Sequence, residues 1–321
     1  MIVKKNEKPR ILLQHEALTK RLPKNHPKQI DIQKNLARRR AGFNGENSVD
    51  YYLDYLSSEN YHIFHDLRLH DGVHYFQLDL LILTKKFILI IEVKNIAGVL
   101  TFDPTFNQII RYHGEKEEAF PDPILQVKRH RTQLNTWLSS NKLLQLPIET
   151  LVLISNPSST IKVPGNSQLV SQFVIRSSNL LNRLSKLEQK NNVELLTGKE
   201  LKKLSRLLIK KHESLHSNIL EQYEIKTNEL YTGVFCSICN YLPIKRIYGN
   251  WYCPACRSTN KVDHIQALKE YALLISPTIT KTEMAEFLHI DSLAAVKRLI
   301  RSMDLPPIGQ TKSRTYNLLN L

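Results

Sequence analysis

Two apolar runs, Phe76 to Leu83 and Phe87 to Val93, are separated only by Thr84, Lys85 and Lys86. Runs this short, rich in Ile, Leu and Phe, read as strands, and so brief a connection joins them as an antiparallel hairpin. With the turn centred between Lys85 and Lys86, facing positions sum to 171 and alternate residues share a face. Ile88 and Ile90 then occupy one face of the second strand, while Phe87, Leu89, Ile91 and Val93 occupy the other. A strand that is apolar on both faces is covered on both sides. The second strand is therefore expected to be buried.

The same arithmetic places Asp79 opposite Glu92 and Gln77 opposite Lys94, all four on one face. Two carboxylates supply the hard oxygen ligands that a divalent cation such as Mg2+ or Mn2+ requires. A cation so held polarises a phosphate and activates water for phosphodiester hydrolysis. Lys94 is suited to orient or deprotonate the attacking water, or to stabilise charge in the transition state, and spacing does not separate these roles. The competing reading is a cross-strand salt bridge on a solvated face. Burying three ionisable groups at the end of an apolar strand carries a desolvation cost that a solvated bridge avoids, which favours a functional site.

The order Gly45-Glu46, Gln77-Leu-Asp79, Glu92-Val-Lys94-Asn95 with Gly98, then Pro123 with Gln126 and His130, resembles the nuclease-related domain, NERD, over about residues 41 to 160. The resemblance implies an α/β fold, a restriction-endonuclease-like mixed sheet flanked by helices, with a PD-(D/E)xK site. It also implies that Glu46, on a first helix, and Gln126, on a later one, approach that site. Leu80 stands where family members often carry His. Helical spacing is present over residues 43 to 56, with Val49, Tyr52, Leu53 and Leu56 apolar and Glu46 near the start. There Glu46 also reads as a charge favouring a helix N-terminus. Ile124 to Leu138 reads as a second helix bearing Lys128, Arg129, His130 and Arg131, suited either to solvent or to a phosphate backbone. Thr150 to Ile154 reads as a further buried strand ended by Ser155-Asn156-Pro157.

All four cysteines lie in one stretch, Cys236-Ser-Ile-Cys239 and Cys253-Pro-Ala-Cys256. Two C-x-x-C pairs at this spacing predict a tetrahedral four-thiolate Zn2+ site, structural because no ligand position is left open. Tyr241 to Tyr248 as a strand and Gly249-Asn250 as a turn complete a zinc ribbon. The rivals are two disulfides or a redox pair. Met1-Ile-Val-Lys-Lys has no apolar signal core, so a reducing cytoplasmic location is expected, which disfavours disulfides.

Near the C-terminus, Thr280-Lys-Thr-Glu283 has the form of a capping box. It opens a helix with Met284, Ala285 and Leu288 apolar. A turn at His289-Ile290-Asp291 leads to a second helix, Ser292 to Met303, with Leu293, Val296, Leu299 and Ile300 facing inward and Lys297, Arg298 and Arg301 outward. This is a helix-turn-helix pattern, winged if Gln310 to Tyr316 forms a basic hairpin; an ordinary helical hairpin is the alternative.

The formal charge of +15 and pI near 9.6 suit a polyanionic partner. Residues 1–40 hold 12 Lys or Arg against 3 Asp or Glu, with Lys4, Lys5, Lys8 and Arg10 reading as a loose arm and Arg38-Arg39-Arg40 as the end of a helical stretch. No apolar run reaches the roughly 20 residues of a membrane span. Glycine-rich phosphate loops are absent, so the chain carries no ATPase of its own. The expected organisation is a basic segment at 1–40, a nuclease-like domain at 41–160, a helical extension at 161–230, a zinc ribbon at 231–262 and a helix-turn-helix at 263–321. The expected function is Mg2+-dependent cleavage of DNA, most naturally the duplex. The alternative is a non-catalytic regulatory protein that binds DNA or RNA on a nuclease-like platform.

Overall fold

A computed structural model describes residues 1–321 except Asn166, His216 and Thr311 to Ser313. The chain divides into two compact units, one of Met1–Lys8 with Arg38–Leu215, the other of Pro9–Ala37 with His216–Leu321.

The chain begins with β1 (Ile2–Lys4), α1 (Arg10–Arg21) and α2 (Gln29–Leu53), then β2 (His62–His70), β3 (Tyr75–Leu83) and β4 (Ile88–Lys94). Next come β5 (Gly98–Asp103), β6 (Gln108–His113), β7 (Lys116–Pro121), α3 (Pro123–Ser140), β8 (Ile148–Ile154) and β9 (Ser159–Lys162). The first unit ends with α4 (Ser167–Phe173), β10 (Val174–Arg176), α5 (Leu180–Lys190) and α6 (Gly198–Lys210). Its main sheet is mixed, in the order β1-β2-β3-β4-β8-β10. Ile88 and Ile90 pack with Leu134, Trp137 and Leu138 of α3 and Leu204 and Leu208 of α6. Leu89 and Ile91 pack with Val49 and Leu53 of α2 and Leu184 and Leu187 of α5. The central strand is thus covered on both faces, as its composition demands. A second sheet, β7-β6-β5-β9, shares Leu100, Phe102 and Ile109 with Val127 of α3 and Val152 and Ile154 of β8.

The β3–β4 pairs are Leu80 with Ile91, Leu81 with Ile90, Ile82 with Leu89 and Leu83 with Ile88, the expected register. The pairing stops there, so neither the Asp79–Glu92 pair nor the Gln77–Lys94 pair expected from the register belongs to the ladder. Gln77 instead pairs with Arg68 of β2 and its amide donates to the Asp66 carboxylate. Phe76 and Leu78 lie in the same cluster as Leu81 and Leu83, so side-chain alternation breaks between Leu78 and Leu81. Across the ladder, Asp66 has a left-handed backbone, φ +48°, and alternation breaks there as well: Phe64 and Leu67 share a cluster. Helix α2 also departs from expectation. It starts at Gln29 and runs through Arg38 to Arg40 without interruption, so Glu46 lies in its interior and not near an N-terminus.

The expected loose arm has ordered ends: Lys4 closes β1 in the first unit, and in the second Arg10 opens α1. Arg10 donates to the Ala272 carbonyl, and Leu18, Leu22 and Ile32 pack with Ile219, Leu220 and Tyr223. There follow α7 (Ile219–Gln222), β11 (Lys245–Ile247), β12 (Asn250–Tyr252), β13 (Thr259–Asn260) and α8 (Asp263–Leu274). The chain ends with β14 (Thr278–Thr280), α9 (Lys281–Leu288), α10 (Leu293–Ser302), β15 (Pro307–Ile308) and β16 (Thr315–Asn317). The strand expected over Tyr241 to Tyr248 is confined to Lys245–Ile247, because Tyr241 and the residues before it close the first cysteine turn, where Cys236 N–H donates to the Tyr241 carbonyl. Thr280 and Glu283 form the anticipated capping box on α9. Leu293 is exposed: as the first residue of α10 it lies a turn ahead of Val296, Leu299 and Ile300, which enter the core. The three-stranded sheet β14-β16-β15 lies beside these helices, and the tip of the expected hairpin, Thr311 to Ser313, falls outside the described residues.

Candidate active site

Glu92 and Lys94 occupy the C-terminal end of β4, on the face covered by α3. The Glu92 side chain is buried, 4% exposed. The Lys94 ammonium donates to Glu92 Oε1 at 2.6 Å and to Gln126 Oε1 at 3.2 Å. Gln126 is presented by the first turns of α3, whose start is fixed by Asp122: its carboxylate accepts the Ile124 N–H at 2.8 Å, and Pro123 occupies the first turn. Glu92 Oε2 is buried and has no hydrogen-bond partner. A buried carboxylate oxygen without a donor is costly in water-free surroundings and points to a ligand that satisfies it.

Asp79 lies at the break in β3. Its Oδ2 accepts the Val93 N–H at 2.9 Å, just past the last β3–β4 pair, so the carboxylate serves a strand donor where the ladder ends. Burial, then the charges of Glu92 and Glu46, hold the Asp79 carboxyl well above its ordinary range, against the Val93 hydrogen bond and Lys94. Glu46 is pushed up to about 7 by burial first, then by Asp66 and Glu92, with Lys4 and Lys94 opposing. These acids destabilise one another's ionised forms, and Lys94 offsets that repulsion only in part.

The placement of Glu46 comes from close packing of α2 on the β4 end. A Cβ added at Gly45 would lie 2.4 Å from Asn95 Cβ and 2.9 Å from Ser155 Oγ, so only glycine permits this approach. Asn95 donates to the Ala41 carbonyl of α2 at 2.7 Å and accepts from Asn156 at 2.9 Å. The Glu-Val-Lys-Asn segment therefore carries both the site and the tether for the helix that completes it.

The five proposed site residues, Glu46, Asp79, Glu92, Lys94 and Gln126, are thus neighbours in one unit. Three groups were missed in the sequence. Asp66 faces Glu46 electrostatically and pairs with Lys4 at 3.8 Å. A carboxylate inside the apolar alternation of β2 was a usable hint; nothing at Lys4 marked it. His130, quoted only as part of the motif, is buried under Phe76 with Nδ1 unpartnered; burial lowers its pKa while the Glu92 charge opposes.

In the second unit, Cys236, Cys239, Cys253 and Cys256 bring their sulfurs within 4.8 Å of one another. The Cys236–Cys256 and Cys239–Cys253 separations are 3.7 and 3.5 Å. Disulfides require about 2.05 Å, whereas sulfurs about 2.3 Å from a tetrahedral zinc stand about 3.8 Å apart. The four cysteines fit a zinc site. The cation-bearing residues of α10, Lys297, Arg298 and Arg301, are exposed, as are Lys128, Arg129 and Arg131 of α3. Among the described residues no helix is long and apolar enough to cross a membrane.

Residues 41–155 match the family profile of the nuclease-related domain, NERD. No curated protein and no solved structure gave a match. The first unit therefore contains a nuclease-related domain, and the acids and Lys94 described above lie inside the matched span.

Proposed function

We propose that this protein is a metal-dependent nuclease that hydrolyses phosphodiester bonds of DNA, with Asp79, Glu92 and Lys94 at its centre and Glu46 and Gln126 beside them. The carrying observation is the unpartnered, buried Glu92 Oε2 next to two carboxyls that burial and mutual repulsion hold toward the neutral form. Such a donor set fits a hard divalent cation, Mg2+ or Mn2+, held by Asp79 and Glu92. Bound there, the ion supplies Lewis-acid polarisation of the phosphate and activation of water. Gln126 and Glu92 fix the Lys94 ammonium, so its charge is already in place to orient water or to stabilise a phosphorane-like transition state without reorganisation. Glu46, poised near neutrality, is able to hold or release a proton at its carboxylate at working pH.

The exposed cations of α3 and α10 suit a phosphate backbone, and the order α8, β14, α9, α10, β15, β16 fits a winged helix-turn-helix docking on duplex DNA. A structural Zn2+ on the four cysteines would order the turns that precede these helices. A second reading, a nucleic-acid-binding platform without turnover, rests on the same exposed cations of α3 and α10.

Supercoiled plasmid and linear duplex incubated with Mg2+, Mn2+ or EDTA test the proposal. Cleavage by the wild type in either metal, abolished by EDTA, by Asp79→Asn and by Glu92→Gln, is expected. A wild type that leaves DNA intact in every buffer overturns the enzyme, and DNA affinity that persists or rises in Asp79→Ala then supports the platform.

A further inference from the structure

At the end of the main sheet that carries the β3–β4 turn, opposite Glu92 and Lys94, lies a groove of about 420 Å³ between α6 and the connection from α3 to β8. Its place is set by backbone: the Leu195 and Leu196 N–H groups both donate to the Lys85 carbonyl, holding the start of α6 against the turn. Leu143, Leu196, Leu204 and Leu207 form the floor, and Leu144, 54% exposed, stands at the edge. Lys142, Lys203, Arg206 and Lys210 surround them.

The rim cations have no carboxylate within ion-pair distance among the described residues. Glu200, the one acid lining the groove, caps α6, its Oε2 accepting the Thr197 N–H at 2.8 Å and hydroxyl at 2.7 Å, and its charge offsets Lys203 in part. Lys203, Arg206 and Lys210 fall at i, i+3 and i+7, one line along α6 about 10 Å long. An apolar floor bounded by four cations and a single carboxylate is complementary to a chain that is apolar on one side and acidic on the other.

We propose that this groove docks an acidic amphipathic helix of a partner protein, laid along α6 with its apolar stripe on the leucines and its carboxylates on Lys203, Arg206 and Lys210. Nucleic acid satisfies the cations but not the floor, because a phosphodiester backbone gains nothing from leucine and the lining offers no aromatic ring for base stacking. The groove includes none of the candidate active-site residues and lies at the other end of the strands, so a docked partner leaves the cleavage site open. It serves to recruit or localise the nuclease-related domain.

The test uses the full-length protein and fluorescent peptides of about four helical turns. One series places Leu at i, i+3, i+4 and i+7 among Glu residues at several registers; its controls scramble the same composition so that the stripe is lost. A duplex DNA probe is run in parallel by anisotropy. The best striped peptide is expected to bind at least about ten-fold tighter than its scramble, with Leu144→Asp and Arg206→Glu each weakening it by about ten-fold or more. Leu144→Asp is expected to leave DNA affinity and thermal melting unchanged, since the side chain is largely exposed. Equal binding of every striped peptide and its scramble overturns the proposal. So does indifference to both substitutions, and so does a groove where Arg206→Glu weakens DNA while Leu144→Asp weakens nothing, which marks a nucleic-acid track.

Discussion

The raised pKa of Glu46 makes the stability of the nuclease-related unit depend on pH in a direction opposite to that of an ordinary salt-bridged acid. Its folded value of about 7 exceeds the unfolded value of 4.5, so between those pH values the folded state binds the extra proton. Stability contributed by the protonated form is complete below about 4.5, falls as pH rises through about 7 and is then lost. A shift of this size corresponds to about 3 kcal/mol at roughly 1.4 kcal/mol per unit; coupling to the neighbouring acids and residual exposure bring the expectation to about 2 kcal/mol. Glu46→Gln keeps the shape of the neutral acid and removes the charge. Trp137 and Trp251 are the only tryptophans, so a Trp251→Phe background leaves Trp137, on the buried face of α3, as the reporter of this unit. In urea melts with EDTA at pH 5 and pH 8, the variant is expected to be nearly neutral at pH 5 and about 2 kcal/mol more stable than its parent at pH 8. Adding Mg2+ at pH 8 is expected to stabilise the parent by more than the variant. Parallel stability curves for parent and variant across this range would falsify the claim that Glu46 is held electrostatically frustrated.

The two glycines of α2 give an internal control. Gly45→Ala drives a methyl group against Asn95 and Ser155 and is expected to cost about 1–3 kcal/mol and to lower cleavage by displacing Glu46. Gly42→Ala meets nothing within 4 Å and is expected to stabilise by up to about 1 kcal/mol; urea melts of both decide. In the second unit, Arg21 is fully buried and donates to Glu270 at 2.6 Å and to the carbonyls of Tyr231 and Gly233. Arg21→Met leaves Glu270 with only Lys20 and Gln266 and is expected to destabilise that unit by about 3–5 kcal/mol, read from Trp251 in a Trp137→Phe background. Thiol-directed metal release is expected to yield one zinc per chain by colorimetric assay and to alter Trp251 but not Trp137 emission; a yield near zero would remove the zinc assignment.

Much of this was legible in one dimension for identifiable reasons. The hairpin register followed from a short turn and a two-residue period, and the cysteine cluster from paired spacings. The capping box at Thr280 and Glu283 depends only on residues three apart. What escaped was either polar or remote. Strands β5 to β7 include the segment Lys-Glu-Glu-Ala-Phe-Pro, which lacks an apolar run and takes its place only through pairing with β6. The continuity of α2 through three arginines was hidden because that helix carries no apolar stripe along its whole length; its two halves face different surroundings.

Local order determined the end of β4: alternation put Glu92 and Lys94 on one face, and apolar neighbours on both faces ensured that the end of the strand would be buried, whereas Asp79 lies past the last β3–β4 pair, where alternation breaks. Tertiary structure alone decided which groups meet them. Asp66 turns toward Glu46 because a left-handed residue breaks the alternation of β2, Gln126 reaches Lys94 because α3 crosses that face, and Glu46 arrives because Gly45 lets α2 touch Asn95. Electrostatic character follows from distances between segments far apart in sequence, and those distances are set by packing, which no periodicity within a single segment encodes.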